Sequence, residues 1–314
     1  MKSPRCSIVV RAYNEEKHIG RLLTGIMQQT IDNVQIILVD SGSTDATTAI
    51  AAHYPVTILH IHPDDFTFGR SLNLGIGYAK AEFIVAASAH VYPVYPDWLD
   101  RLLEPFQNPN IALVYGRQRG DEHTKFSEQQ VFTQWYPDQT RLNQTHPFCN
   151  NANAAIRRSA WQQHPYDETL TGLEDLAWAG WALDQGFRLA YNAEAEVVHV
   201  HNETPRGVYN RYRREAMAFK RIYPQERFSL GHFFHLAGTN ISSDLIQAAR
   251  NSTLRSSLIS IFWFRVMQFW GTYQGYRNSG PITEELRRTF YYPAQNSAHQ
   301  PSSTRSVRPI QYHD

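Results

Sequence analysis

An α/β fold, with a mostly parallel sheet between helical layers, is predicted by two features of the sequence. Short unbroken apolar runs alternate with stretches whose apolar residues recur at helical spacing. The apolar runs also end in polar clusters: Tyr-Asn-Glu-Glu follows the first, Asp-Ser-Gly-Ser the second and Ser-Ala-His the run at 83–87. Ligand crevices of open α/β sheets lie just beyond such strand ends. The chain has 314 residues, 42% hydrophobic and 19% charged, enough for one large domain with its own core plus an appendage.

In chain order, residues 7–10 (SIVV) read as a first strand, followed by the polar turn Arg11-Ala12-Tyr13-Asn14-Glu15-Glu16. Ile19, Leu22, Leu23 and Ile26 then mark a helix over 16–29. Residues 34–39 form a second strand, ending in Asp40-Ser41-Gly42-Ser43-Thr44-Asp45, where Thr44 or Asp45 is placed to cap a helix over 46–53. A third strand is expected at 56–61 and a helix at 70–79. Phe83-Ile84-Val85-Ala86-Ala87 reads as a strand buried on both faces, with Ser88-Ala89-His90 at its carboxyl end. Pro93 and Pro96 are expected to stop further ladder pairing. Ser88 and His90, at i and i+2, point to one side of the strand.

The net charge of +1 gives no reason to expect nucleic acid as a partner. With Cys6 and Cys149 as the only cysteines, neither a disulfide framework nor a thiolate metal site is expected, and a reducing compartment fits. The apolar run near the N-terminus is too short for a signal peptide. The segment 258–270 is too short to span a membrane and is interrupted by Arg265. The expectation is a cytoplasmic protein, with contact to a membrane surface left open.

Alternating strands and helices invite a dinucleotide-binding reading, but Tyr-Asn-Glu-Glu stands where a glycine fingerprint would be, and no P-loop occurs. Any phosphates are held by something other than a glycine-rich loop. A different series of motifs resembles glycosyltransferase family 2. These are residues 7–16 (SIVVRAYNEE), 39–47 (VDSGSTDAT), an Asn73-Leu74-Gly75 turn and 88–98 (SAHVYPVYPDW). The likeness continues through 150–158 (NNANAAIRR), Tyr166-Asp167-Glu168, 172–176 (GLEDL) and 197–201 (VVHVH). Each motif is weak alone, and their shared order is what makes the resemblance specific.

The resemblance implies a GT-A-type three-layer sandwich around the mostly parallel sheet, taken as residues 1–225. It also implies an inverting glycosyltransferase that moves a sugar from a nucleotide-sugar donor to a hydroxyl acceptor in polysaccharide or glycolipid synthesis. The acceptor would be a saccharide or a lipid-linked glycan. A non-catalytic nucleotide-sugar-binding or scaffold protein of the same fold is the alternative, motivated by one departure from the family pattern. A nucleotidyltransferase ranks last, because the first loop lacks a Gly- and Lys/Arg-rich activating sequence.

That departure is Ser88-Ala89-His90, which stands where similar enzymes carry Asp-x-Asp, the last aspartate binding a divalent cation on the donor diphosphate. Imidazole suits Mn- or Zn-like ions better than Mg. A divalent metal (Mn or Mg) at His90 is therefore one reading, direct contact of His90 with a phosphate is another, and a purely structural histidine is the third. His199 and His201 alternate along a strand expected at 196–201 and face one way. The resemblance assigns His199 to the metal or a phosphate, and His201 with Asn150 and Asn153 to the donor or acceptor sugar. Asn151 is weighed with that pair, and Arg157 and Arg158 read as helix-surface charges.

For the nucleotide, the resemblance points to Ala12, Tyr13, Glu15, Asp40, Asn73 and Ser88. Asp40 would accept from a base N–H, while its plain alternative is a turn residue or helix cap. Tyr13 could stack on a base or sit in the core, and Asn14 suits a left-handed turn. Glu174 and Asp175 precede a helix bearing Trp178 and Trp181. Acidic residues also suit a first helical turn on dipole grounds alone. In the family this acidic pair supplies the base that deprotonates the acceptor hydroxyl, with Asp175 as base and Glu174 as its neighbour, or the reverse.

Beyond about residue 205 the resemblance thins. Residues 208–223 form a basic helix that reads as a solvated face or a docking surface for anionic lipid. Residues 254–276, rich in Phe, Trp and Ile, read as a helix packed on the catalytic domain, or as an interfacial helix making peripheral membrane contact. A C-terminal helical extension is thus expected over 226–291, and a disordered tail over 292–314 from its Gln, Ser, Arg and Pro content.

Overall fold

The computed structural model describes residues 3–201, 203–277 and 307–312. Its strands are β1 (Cys6–Ala12), β2 (Val34–Asp40), β3 (Val56–His60), β4 (Phe83–Ser88), β5 (Val91–Pro93), β6 (Ile111–Arg119), β7 (Arg141–Gln144), β8 (Asn153–Arg157) and β9 (Arg188–His199). Its α-helices are α1 (Ile19–Met27), α2 (Thr47–Ala51), α3 (Phe68–Tyr78), α4 (Trp98–Leu103), α5 (Phe126–Trp135), α6 (Arg158–Gln163) and α7 (Glu174–Asp184). Three longer ones follow: α8 (Pro205–Ile222), α9 (Leu230–Arg250) and α10 (Leu254–Arg277).

The strands form one sheet in the order β3-β2-β1-β4-β8-β6-β9-β5, with β7 also paired to β9. β1 to β4 run parallel, β8 enters antiparallel between β4 and β6, and β6 and β9 run parallel to each other. Successive residues of the central strands feed two cores, one on each face. Ile8, Val10, Leu38, Val85 and Ala87 pack with Leu22 and Leu23 of α1 and Trp98 of α4. Val9, Ile37, Val39, Ile84 and Ala86 face the other way, onto Leu72 and Ile76 of α3 and Trp178 of α7. Burial on both faces explains why these strands are continuous apolar runs. A Cβ on Gly75 of α3 would collide with the Val9 side chain, so glycine is what lets α3 lie close to the sheet.

The expected three-layer α/β architecture is present, with several local corrections. Asn73-Leu74-Gly75 is not a turn but the middle of α3. Pro93 does not end pairing: β5 pairs antiparallel with the end of β9, and Val94 N–H continues to the Glu196 carbonyl. β5 is an edge strand, where the N–H that proline lacks is not required for a second neighbour. Arg157 is no helix-surface charge either. It ends β8 and donates to the carbonyls of Phe106, Asn108 and Ile111.

α8, from Pro205, packs along α10. Backbone atoms of Tyr209 and Arg213 lie where Gly271 and Gly275 of α10 would otherwise carry a Cβ. The basic helix α8 is not simply a solvated face. Arg211 is largely buried and pairs with Glu128 at 2.6 Å and Glu203 at 2.7 Å. Arg265, which interrupts the apolar run of α10, is buried in a two-pronged pair with Asp244 of α9, at 2.7 and 2.9 Å. Ser127 of α5 donates to the same carboxylate and so ties α5 to α9.

The tail expected to be disordered over 292–314 lies outside the described residues except for 307–312, and that segment is ordered against the domain. Ile310 N–H donates to the Val94 carbonyl, and Tyr312 donates its hydroxyl to the Pro93 carbonyl while meeting Tyr92 edge-on.

Candidate active site

Two polar clusters sit at the carboxyl ends of the central strands, joined by strand register. Arg11 of β1 is level with Ser88 of β4, and Ser88 N–H reaches the Ala152 carbonyl just ahead of β8. Residues 150–152 are thus neighbours of the β4 end, as is Arg11.

The first cluster is acidic. Glu174 and Asp175 open α7, and both side chains are buried. Leu173, just before them, sits at φ 58°, in the left-handed region that leucine seldom occupies. Asp175 accepts from the Asn151 N–H at 2.9 Å through one oxygen and from the Leu176 N–H at 2.8 Å through the other. Glu174 accepts from Arg11 at 3.0 Å and from the Asn151 side-chain amide at 3.3 Å. Burial, followed by the adjacent Glu174 charge, pushes the Asp175 carboxyl up to about 7, against the opposing effect of its N–H donors and Arg11. The result is a fixed, buried carboxylate whose proton affinity suits proton transfer near neutral pH.

The second cluster is made of histidines. β5 pairs with the end of β9, placing Val91 opposite His199, and the His90 carbonyl accepts from Val200 N–H. This ladder brings His90 beside both later histidines. The His90 and His199 rings stack at 5.0 Å, and His199 and His201 lie 4.0 Å apart between centroids. β9 ends at His199, so His201 faces the cluster from just beyond the strand. Burial holds His199 and His201 well below the usual imidazole range, helped for His199 by its histidine neighbours and for His201 by Arg211. One ring nitrogen from each of His90, His199 and His201 lies within 4.8 Å of the others, a grouping that could hold a metal ion, and Glu128, His201 and Glu203 form a second such group among the described residues.

The loops after β1 and β2 are stitched together. Asn14, at φ 55°, accepts from Thr44 N–H and donates its own N–H to Ser43, while Glu16 accepts from Ala46 N–H. Tyr13 is no core residue; it is 57% exposed beside Ala12. Glu15 pairs with His90 at 2.7 Å, which makes it a partner of the histidine cluster. Ser88 lies 3.4 Å from the other His90 nitrogen. Asp40 is buried, and its oxygens accept from the N–H groups of Gly42 and Ser43 and meet His60 Nδ1 at 3.3 Å. Those are the bonds of a turn-closing aspartate.

Two expected contacts with ligand are structural instead. Asn153 is fully buried, accepting from the Trp98 indole and donating to the carbonyls of Arg117 and Ala195. Asn73 accepts from the Trp161 indole and Tyr166 N–H and donates to the Tyr166 carbonyl and Glu168. Every donor and acceptor of both amides, except one lone pair of Asn153, is thereby used to brace the fold. Asn150 shapes the turn into β8 by accepting from Ala152 N–H.

With the site's geometry in place, comparisons with known proteins decide the family. The sequence profile described as "Glycosyl transferase family 2" matches residues 7–164. The chain belongs to glycosyltransferase family 2. It is 29% identical over 221 residues to the O-antigen chain rhamnosyltransferase RfbN of Salmonella typhimurium, covering 66% of this chain and 70% of that one. A second O-antigen chain rhamnosyltransferase, WbaN of Salmonella anatum, is 29% identical over 223 residues, covering 67% and 70% of the two chains. Among solved structures, a mannosyltransferase from Pyrobaculum calidifontis in complex with GDP-Man and Mn2+ superposes with a TM-score of 0.59 at 18% identity, covering 88% of this chain and 85% of that one. A fragment of S. aureus TarS in complex with UDP-GlcNAc gives 0.52 at 14% identity, covering 87% and 92%. The fold is the GT-A fold.

Within this family 2 enzyme, sequence reasoning passed over Arg11, Gln118 and Glu128 and gave Asn151 no separate role. Asn151 and Arg11 lie inside quoted motifs, so a signal was present. Gln118 accepts from His199 Nδ1–H, and Glu128 accepts from His201 Nδ1–H, each at 2.7 Å. Neither belongs to a local pattern that would have marked it.

Proposed function

We propose that this glycosyltransferase inverts configuration at the transferred sugar, with Asp175 as the general base. The observation that carries this reading is the Asp175 carboxylate: buried, gripped by two backbone N–H groups and raised to about 7. Asp175 takes the proton from an acceptor hydroxyl as that oxygen attacks the anomeric carbon and the nucleoside diphosphate departs. A single direct displacement of this kind inverts the centre. The Glu174 charge raises the Asp175 proton affinity, Arg11 holds Glu174 in place and partly offsets that effect, and Glu174 aligns Asn151. The nucleoside lies over the Ala12–Tyr13 loop and the turn that Asp40 closes, and the diphosphate lies toward Ser88, His90 and His199. A divalent cation at the histidines would supply positive charge to that diphosphate.

From the similarity to two O-antigen chain rhamnosyltransferases, the transferred unit is proposed to be a rhamnosyl residue and the acceptor a growing lipid-linked glycan. No helix among the described residues is long and apolar enough to cross a membrane. The α9–α10 hairpin nevertheless exposes Ile246, Leu258, Ile259 and Phe262, beside exposed Arg250 and Arg255 at its tip. Protruding apolar side chains rimmed by arginine fit the interface of an anionic membrane. Cytoplasmic, peripheral attachment is proposed on that basis. Sedimentation with vesicles containing phosphatidylglycerol should carry the protein down, and Ile259→Ser with Phe262→Ser should release it.

The test of the reaction is transfer from nucleoside-diphosphate rhamnose to a membrane-extracted glycolipid acceptor, with the product's anomeric configuration read by NMR. Configuration opposite to the donor's is expected, with loss of transfer in Asp175→Asn. A retained configuration, or full activity in Asp175→Asn, overturns the mechanism.

A further inference from the structure

The face of α8 that adjoins the acidic pair carries charges that the reaction described above does not use. Arg206, Arg214 and Arg221 are exposed, and at i, i+8 and i+15 they fall within about 80° of one another around the helix. Lys220 lies beside Arg221. Among the described residues no carboxylate pairs with any of the four, in contrast to Arg211, which Glu128 and Glu203 hold. Glu203 and Glu215 feel the Arg214 charge without pairing with it. The loop leading to the acidic pair lies against this face. Thr171 donates its hydroxyl to the Arg214 carbonyl at 3.4 Å, and Arg221 donates to the Thr169 carbonyl at 2.9 Å. The Arg214 guanidinium stands 4.8 Å from the ring centre of Phe68 and the Arg11 guanidinium 4.9 Å, so Arg214 and the partner of Glu174 share one aromatic ring. The acids of the loop are already engaged. Asp167 accepts from the Thr169 N–H and hydroxyl, and Glu168 accepts from Asn73 with Arg70 alongside. Farther along α8, Lys220 and Arg221 line a cavity of about 420 Å³ with Thr171 and Met217.

We infer that this face of α8 binds an acidic glycan: the glycan of the acceptor bears carboxylates that lie on Arg206, Arg214 and Arg221 while its terminal hydroxyl reaches Asp175. The inference deepens, and rests on, the reading of Asp175 as the base on the acceptor side. A guanidinium fork meets a carboxylate through two parallel hydrogen bonds, so arginine suits the carboxylates of uronic acids. At 1.5 Å per residue the three arginines stand roughly 10–12 Å apart, about the length of one disaccharide along an extended glycan. A chain with one acidic sugar in each disaccharide therefore meets each arginine in turn. Opposite charge along such a track selects the acceptor and sets its direction. A membrane is the other anionic partner to consider, but no large apolar side chain of α8 is exposed. Those that protrude from the C-terminal helices belong to α9 and α10.

The experiment uses the full-length protein with no donor present. Isothermal titration with oligogalacturonate is compared with a neutral malto-oligosaccharide of the same length, at low and at raised salt. Binding of oligogalacturonate alone is expected, weakening as salt screens the charges. Arg214→Gln and Arg221→Gln, both at exposed positions and checked for folding by thermal melting, should each weaken it about two- to fivefold. The triple variant that adds Arg206→Gln should lose at least about tenfold. Arg255→Gln, on exposed α10, should leave the affinity unchanged. Absence of binding, equal binding of the neutral oligosaccharide, or equal loss in Arg255→Gln and Arg214→Gln would each overturn the inference. So would a triple variant that no longer sediments with phosphatidylglycerol vesicles, because the face would then belong to a membrane. Glycan binding is read here without transfer, and the base is read from Asp175→Asn in the transfer assay, so failure of one is distinguishable from failure of the other.

Discussion

Replacing Asp175 by asparagine separates its role as a poised base from that of a buried structural acid, and the stability measurement requires no knowledge of the substrate. In the unfolded chain this carboxyl titrates near its ordinary value of 3.8, whereas in the folded protein it titrates at about 7. Between those values the folded state holds a proton that the unfolded state has lost, so stability falls as pH rises. The slope reaches about 1.4 kcal/mol per pH unit, so moving from pH 5 to 8.5 removes roughly 3 kcal/mol from the wild type through this residue. Asparagine cannot ionise and keeps the size of the side chain. The stability difference, Asp175→Asn minus wild type, should therefore rise by about that amount over the same interval. The folded-state value reflects burial first and then the Glu174 charge on the same helix, opposed by the Asn151 and Leu176 N–H donors and by Arg11 of β1, and these surroundings remain in the variant. Contributions from buried neutral His199 and His201, which favour folding above the ordinary imidazole range, cancel in the difference. The assay is urea denaturation of both proteins at pH 5 and 8.5. A difference that does not change with pH refutes the raised proton affinity, and with it the physical basis for Asp175 as the base. In transfer assays the variant should lose roughly 10²- to 10⁴-fold, and wild-type kcat/KM should rise with pH through about 7.

Arg11→Met should push the Asp175 proton affinity higher still, moving the acid limb of the pH–rate profile to higher pH; an unmoved limb would show that the Arg11 charge does not reach the base. Arg265→Met leaves Asp244 buried with only the Ser127 hydroxyl, and denaturation should register a loss of about 3–5 kcal/mol. Gly271→Ala forces a methyl against the Tyr209 carbonyl and should cost about 1–3 kcal/mol. Gly238→Ala in α9 meets no atom within 4 Å and should be neutral or stabilising, so equal losses in the two variants would refute the close α8–α10 packing.

The local sequence determined most of the architecture, because burial and periodicity are local signals. Apolar runs buried on both faces marked β1, β2 and β4, and the polar residues at their ends marked where a site would open. Glu174 and Asp175 were legible as a pair beside a helix start, and His90, His199 and His201 as side chains facing a crevice. Tertiary structure decided which of these meet. Arg11 reaches Glu174 across 163 residues of chain, and His90 reaches His199 only because β5 pairs with the end of β9 despite Pro93. Asn73 and Asn153 looked like ligand amides, yet packing turned them inward, where every indole and carbonyl left by the fold needed a partner. Gln118, Glu128 and Asn151 acquired their roles in the same way. An isolated polar residue carries no local mark of its partner, and long-range register alone sets the distance at which a hydrogen bond forms.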